Sequence, residues 1–303
     1  MARAVIDAVP LERMSGDGDR PCLVDARSVE DATLRSHAVG RDRHSAFAAF
    51  LDGTQHSDYR LVIGRAPVVV GRVAAAIRER VDRKLRAWGT PLVEERVYAP
   101  LAHLSPRERA ALLDAAPGVV VDTTVPDADG VIPAPHPLLL LERAKFAVSR
   151  DREAAERTLA ERWCAAEQRP LFIDGGIGGS EVVGGAACAI GVIKSHRTLY
   201  VDDGGLDVLF ALAKGERTSV VSIAPRGRAA VYSWYLRLRD AAGHDALWGT
   251  VRVEVAPCAD PTRRANDVSQ WILAEMAPNA MPDARWDKMA YGVRNTEEFL
   301  RAL

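Results

Sequence analysis

The chain alternates between short apolar runs and polar, turn-rich stretches, and the spacing within those runs sets its predicted elements. Residues 1–45 are polar, with Ser15-Gly16-Asp17-Gly18-Asp19 and Gly40-Arg41-Asp42-Arg43, and read as a loosely ordered arm carrying one short helix or strand. Three β-like runs follow at 47–51, 59–64 and 67–76, and the polar stretch from Asp52 to Ser57 reads as the loop of an antiparallel hairpin. Residues 73–88, rich in Ala and Arg, read as partly helical, and 93–98 as a further strand. Ser105-Pro106-Arg107-Glu108 places a cap, a first-turn Pro and a third-position Glu, predicting a short helix that ends near Pro117. A strand at 118–122 precedes the clearest helix, 138–166, whose charges recur every three or four residues. The second half is β-rich, with strands predicted at 171–174, 186–194, 218–224, 229–238 and 248–255 and helices at 206–214, 267–276 and 283–291. No repeat or linker cuts residues 46–303, so the expectation is one α/β domain behind an N-terminal arm, 1–45.

Composition narrows the classes. At 303 residues, 48% apolar and 27% charged, the chain can bury a sizeable core. The net charge of −1 supplies no global basic field for nucleic acid, though a local basic groove remains compatible with it. Arginine greatly outnumbers lysine, which reflects coding bias rather than function. Cys22, Cys164, Cys188 and Cys258 are far apart and lack zinc-ligand spacing, so they read as reduced thiols. No apolar run approaches the ~20 residues of a membrane span, and a cytoplasmic location without membrane partners is the expectation.

Two matching signals stand out: Phe50-Leu51-Asp52-Gly53-Thr54 and Phe172-Ile173-Asp174-Gly175-Gly176. Each is an apolar run stopped by Asp-Gly, which reads as a buried strand delivering a carboxylate to a sheet edge. A lone Asp-Gly is ordinarily only a turn; two of them carry more weight. Phosphodiester hydrolysis uses divalent ions about 4 Å apart, held by acids from separate elements. Asp52 and Asp174 are the strand-borne candidates. Glu156, on the long helix, is the natural third, with Glu153 its rival and Glu142 further off; Asp287 is a fourth from the C-terminal helical segment. Each helical acid could equally be a solvated surface residue.

The loop Gly175-Gly176-Ile177-Gly178-Gly179-Ser180 lacks both dinucleotide and Walker spacing, and an acid directly before it would repel a pyrophosphate. Lys194 ends a small-residue strand beside Arg197, where it can neutralise a phosphate or simply meet solvent. Tyr232 and Trp234 share one face of a predicted strand and Tyr235 takes the other; they read as core packing or as a base-stacking surface.

The order of these signals resembles the NurA nucleases, DNA-end-processing partners of HerA-type hexameric ATPases. Leu51-Asp52-Gly53-Thr54 is similar to that family's first Asp-Gly-Ser, and Arg152-Glu153-Ala154-Ala155-Glu156 to its helical Glu. Phe172-Ile173-Asp174-Gly175-Gly176 is similar to its second Asp-Gly, and Val192-Ile193-Lys194-Ser195 to its Lys-bearing strand. The tail is similar too, through Lys214-Gly215-Glu216-Arg217, 234–238 and 251–255. The resemblance implies a ribonuclease H-like fold, a mixed central sheet flanked by helices, over residues 46–303. It implies Mn2+- or Mg2+-dependent cleavage of DNA from ends, with some single-strand endonuclease action, in repair or phage defence. Asp52, Glu156 and Asp174 would hold the metals, Lys194 would orient a phosphate, and a homodimer would dock on the ATPase. Two departures are Thr54, where the family has Ser, and Arg285-Trp286-Asp287-Lys288, where it brings a His; Asp287 would then stand in as ligand. A catalytically inert scaffold of the same fold, or an actin-like ATPase, are the competing readings.

Overall fold

The computed structural model describes residues 22–24, 26–40, 44–124, 126, 130–224, 227–276 and 286–303. The predicted segment 1–21 and the start of the helix expected at 283–291 lie outside these. The fold is mixed α/β. Its strands are β1 (Cys22–Leu23), β2 (Arg27–Ser28), β3 (Ser36–Ala38), β4 (Ala49–Ile63), β5 (Ala66–Val81), β6 (Lys84–Ala99) and β7 (Val120–Asp122). They continue with β8 (Leu171–Asp174), β9 (Ala189–Ile193), β10 (Thr198–Leu199), β11 (Glu216–Thr218), β12 (Val221–Ile223), β13 (Val231–Arg237) and β14 (Thr250–Val255). The helices are α1 (Pro106–Ala115), α2 (Pro137–Ala166), α3 (Glu181–Gly184), α4 (Asp203–Ala211), α5 (Pro261–Ala274) and α6 (Tyr291–Arg301). The chain divides into two compact units, one from residues up to 47 with 168–291, the other from 48–167 with 292–303.

In the second unit, β4, β5 and β6 form an antiparallel meander, and β7 joins β6 in parallel. Tight two-residue turns connect the strands. Gly64 sits at φ +60 in the first; Asp82 and Arg83, at φ 49 and 64, make the second. Two consecutive left-handed residues give a turn whose twist matches that of the flanking strands. Strand alternation divides the meander into two faces. Val69, Val73 and Tyr98 bury against Ala144, Ala147 and Val148 of α2. On the opposite face Ala74 and Ala76 bury against Leu300 of α6, and Gly292 presses so closely on the Phe50 ring that a Cβ there would collide with it.

The meander differs from the sequence expectation. Asp52–Ser57 is not a loop but the middle of β4, and 73–88 holds no helix: β5 runs to Val81 and β6 starts at Lys84. The Ala and Arg of 73–88 have helical propensity, yet pairing on both sides of β5 overrides it. By contrast α1 starts on the predicted capping box: the Ser105 side chain accepts from the Glu108 N–H while Glu108 reaches back to the Ser105 N–H at 2.9 Å.

In the first unit, β12, β13, β14 and β9 pair in antiparallel sequence, and β8 joins β9 in parallel. Residues 22–38, expected as loose arm, supply three short strands: β1 pairs β10, β2 pairs β12 and β3 pairs β11. A buried ion pair fastens them. Arg217, fully buried, forms two 2.7 Å bonds to the two oxygens of Glu30. Burial alone pushes the Glu30 carboxyl up, but Arg217 and the Val220 N–H outweigh it and hold it below its ordinary value. Trp234 and Tyr235 are buried, with Trp234 Nε1 donating to Ser269 Oγ and Tyr235 Oη accepting from the Tyr200 N–H, so they pack the core rather than offer a stacking surface. α6 was not foreseen, because its start merges with a segment read as the preceding helix. Among the described residues no helix is long and apolar enough to cross a membrane.

Candidate active site

In the second unit, two of the predicted acids flank β4 at one glycine, Asp52 from the α6 face and Glu156 from the α2 face. Asp52 lies in β4 opposite Ala76, on the α6 face, and is 8% exposed. Its Oδ1 turns back along the strand to accept the Gly53 N–H at 2.8 Å. Gly53 points its missing side chain towards α2, and Glu156 fills that space. A Cβ on Gly53 would overlap Glu156 Oε1 and stand 2.9 Å from its Cγ and Cδ. Gly is therefore required here for close approach rather than for a turn. Arg152, one turn earlier on α2, pairs with Glu156 Oε1 and donates from Nε to Gln55 Oε1 at 3.0 Å, while Gln55 Nε2 donates to Ser149. This polar ladder explains why the apolar pattern of β4 breaks after Gly53: Gln55 faces a helix, not the core. Glu153 points outward, its side chain 62% exposed, and Glu142 is exposed, so Glu156 is the helical acid next to β4.

In the first unit, Asp174 ends β8 and Lys194 follows β9; the parallel pairing puts both at the C-terminal end of the two strands. Lys194 Nζ donates to Asp174 Oδ2 at 2.7 Å, with the two side chains 14% and 17% exposed. Lys288 Nζ in turn donates to the Lys194 carbonyl at 3.2 Å. His196 Nε2 donates to the Thr250 carbonyl at 2.8 Å, leaving Nδ1 buried without a partner; burial first, and Lys288 second, press its pKa down to about 4. Asp287 is 6% exposed and its Oδ2 accepts the Gly249 N–H at 2.9 Å. That bond pins the turn ahead of β14, where Gly249 holds φ +67.

The glycine-rich loop after β8 is anchored by a residue the sequence did not single out for chemistry. Glu254 Oε2 accepts the Ile177 N–H at 2.9 Å, its Oε1 pairs with Arg252 at 2.7 Å, and a Cβ on Gly176 would meet Oε2 at 2.9 Å. The available signal was Arg252 and Glu254 two residues apart, sharing one face of an otherwise apolar strand.

Each unit offers carboxylate oxygens of the kind a hard divalent ion takes, Asp52 and Glu156 in the second and Asp174 in the first. Arg152 pairs with Glu156, and Lys194 with Asp174. Among the described residues, the group of three acidic, His or Cys side chains whose ligand atoms lie within 4.8 Å of one another, and which could hold a metal ion, is Glu30, Asp31 and His37. Both oxygens of Glu30 are already engaged by Arg217, and Asp31 Oδ2 accepts from Ser219 at 2.6 Å and contacts His37 Nε2 at 2.7 Å. The hydrogen bond from Ser219, ahead of His37, holds Asp31 below the usual carboxylate range. No protein-family model matches this chain, and no curated protein sequence matches it.

Proposed function

We propose that this chain is a divalent-metal-dependent deoxyribonuclease of the NurA type, with Mn2+ or Mg2+ as its metal. The observation that carries the reading is the close approach of the helix-borne Glu156 to Gly53, directly after the buried Asp52 in β4, at a backbone position that admits no side chain. The order of elements supports it: an antiparallel meander, a long helix and then a parallel strand pair agree with a ribonuclease H-like fold. Asp52, Glu156 and Asp174 are the proposed metal ligands. A bound divalent ion polarises the scissile phosphate and lowers the pKa of its water. The chain's own groups do the rest. Arg152 pairs with Glu156 and keeps it aimed at β4. Lys194 moves between Asp174 and a phosphate oxygen of the substrate, neutralising its charge. Asp287, engaged at Gly249, serves the turn first, and its role as a fourth ligand is the weakest of the set. DNA, a second copy of the chain and a HerA-type ATPase are the proposed partners, in the cytoplasm, in end processing or phage defence.

The engagement of Asp287 favours one rival, an inert scaffold that binds DNA or the ATPase. End-labelled double- and single-stranded DNA would be incubated with the protein in Mn2+, Mg2+ or EDTA, with and without a HerA-like ATPase. Asp52→Asn, Glu156→Gln and Asp174→Asn would run beside the wild type. Metal-dependent cutting lost in all three variants supports the proposal. A folded protein that binds DNA and never cuts would replace it with the scaffold. Stabilisation by ATP without a partner, read as a raised Tm, would instead favour an actin-like ATPase.

A further inference from the structure

A cavity of about 190 Å3 lies between β6 and α2, within the unit built on the meander, and the proposed chemistry leaves it unused. Both walls explain why space remains there. On β6, Leu92 pairs with Ala75 but Trp88 with Ile77, so four steps along β6 answer two along β5. Gly89, at φ +62, and Pro91, which has no N–H to give, lie in this bulge. Before the bulge, Trp88 packs edge-on against Trp163 with ring centroids 5.1 Å apart. Past it, Leu92 shares the cavity with the small side chains Ala154, Ala155 and Thr158 of α2, and no large residue fills the gap. The charges of the lining are divided between its ends. At one end Arg96 is a single cation between two carboxylates, 2.6 Å from Glu94 and 3.1 Å from Asp151, and Tyr98 Oη donates to Asp151 at 2.8 Å. These bonds use Glu94 Oε2 and Asp151 Oδ2, which leaves the second oxygen of each carboxylate without a partner among the described residues and one negative charge in surplus. At the other end is Arg162, which has Thr158, Leu159, Ala165 and Ala166 at its helical neighbour positions and no ion pair among the described residues. Helical side chains lean towards the N-terminus, so its guanidinium reaches back over Thr158.

We propose that this cavity binds a small ω-amino acid, with its ammonium at Glu94 and Asp151, its carboxylate on Arg162 and its aliphatic stem against Leu92, Ala154 and Ala155. Charge selects a zwitterion: a surplus negative charge at one end and an unpaired guanidinium at the other are answered together only by a ligand carrying both signs. A guanidinium also matches a carboxylate with two parallel hydrogen bonds. Size excludes larger ligands, because the cavity has the volume of about six waters, below the ~300 Å3 at which sites for larger molecules begin. Length selects the ω-amino acid. The helix rises about 10 Å from Asp151 to Thr158, over which Arg162 lies. An α-amino acid, with its charges on adjacent carbons, does not span that distance, whereas a stem of several methylenes does. The site is independent of the proposed catalysis, since Glu156 leaves α2 towards Gly53, on the β4 side.

The test is titration calorimetry of the full chain with 6-aminohexanoate, beside hexanoate and hexylamine, which each lack one charge, and glycine, which lacks the stem. Variants are Arg162→Gln, Glu94→Gln and Ala154→Leu, the last filling the cavity, with melting curves to confirm that each folds. The expected result is one molecule of 6-aminohexanoate per chain, raising Tm and binding about tenfold or more tighter than any of the three controls. Arg162→Gln and Glu94→Gln should each weaken it about tenfold or more, and Ala154→Leu should abolish it. Neither heat nor a raised Tm with wild type at about 10 mM ligand would overturn the proposal. So would hexanoate, hexylamine or glycine binding as tightly as 6-aminohexanoate, a result that needs no variant. Binding unchanged in both charge variants would overturn it as well.

Discussion

Replacing Gly53 by Ala tests the acid pair more selectively than deleting an acid does. Gly53 does not need a left-handed backbone, so Ala fits its φ and stiffens the unfolded chain, stabilising by about 0.5–1 kcal/mol. The new Cβ overlaps Glu156 Oε1 and crowds Cγ and Cδ at 2.9 Å. The carboxylate is the far end of a flexible side chain, so it swings away rather than strain the strand. That costs its partly exposed pair with Arg152, worth about 1 kcal/mol or less. The two terms nearly cancel, and Tm should move by no more than about 3 °C. Cleavage is a different matter, because displacing a catalytic carboxylate by an ångström or so costs about 100-fold. The assay pairs thermal unfolding with metal-dependent DNA cleavage, and includes Glu156→Asp, whose shorter arm clears the new methyl. Gly53→Ala with Glu156→Asp should then be less than additive in rate loss. Full activity in Gly53→Ala would refute the idea that Glu156 acts from its place over Gly53, and a loss of several kcal/mol in stability would refute the easy swing.

Arg217→Met leaves Glu30 at 3% exposure without its guanidinium, and urea unfolding should show a loss of about 3–5 kcal/mol, partly recovered by adding Glu30→Gln. His196 titrates near 4 in the folded protein against about 6.5 unfolded, so the unfolded state takes up the proton first as pH falls. Its contribution is therefore whole above pH 6.5 and lost towards pH 4, by about 3 kcal/mol at most, with Lys288, Arg252 and Asp245 as the charges around it. Urea midpoints measured from pH 7 to 4.5 should fall more steeply for wild type than for His196→Asn; equal slopes would remove His196 from the account. Gly292→Ala drives a methyl into the Phe50 ring and should cost about 1–3 kcal/mol by chemical denaturation.

The elements that the sequence announced are those whose local chemistry and tertiary role agree. α2 combines a Pro at its first turn with apolar positions at helical spacing, and the Ser105 capping box needs nothing beyond four residues. β8 and β14 could be read from a bounded apolar run and a clean alternation. The meander could not, because Gln55 is polar for the sake of Ser149 and Arg152, nearly a hundred residues away. Likewise Ala74 and Ala76 are small because α6 lies on them, not because they are helical. Residue type and spacing singled out Asp52, Glu156, Asp174 and Lys194 as candidates, and the structure shows the Lys194–Asp174 pair and the contact of Glu156 with Gly53. Glu254 and Glu30 were not legible: each takes its meaning from a distant N–H or guanidinium that no local pattern records.

The closing of the second unit by α6 has a consequence for synthesis. Phe50, Ala74 and Ala76 leave the ribosome early, but the helix that covers them, with Gly292 and Leu300, lies some two hundred residues downstream. At about 5–20 residues per second, that apolar face waits roughly 10–50 s for its cover, while the whole of residues 168–291 is being made. The nascent meander is thus a client for chaperones, and a ribosome stalled before residue 292 releases a product with its hydrophobic face bare. Such fragments should aggregate or be degraded, so the cell meets this protein either finished or not at all.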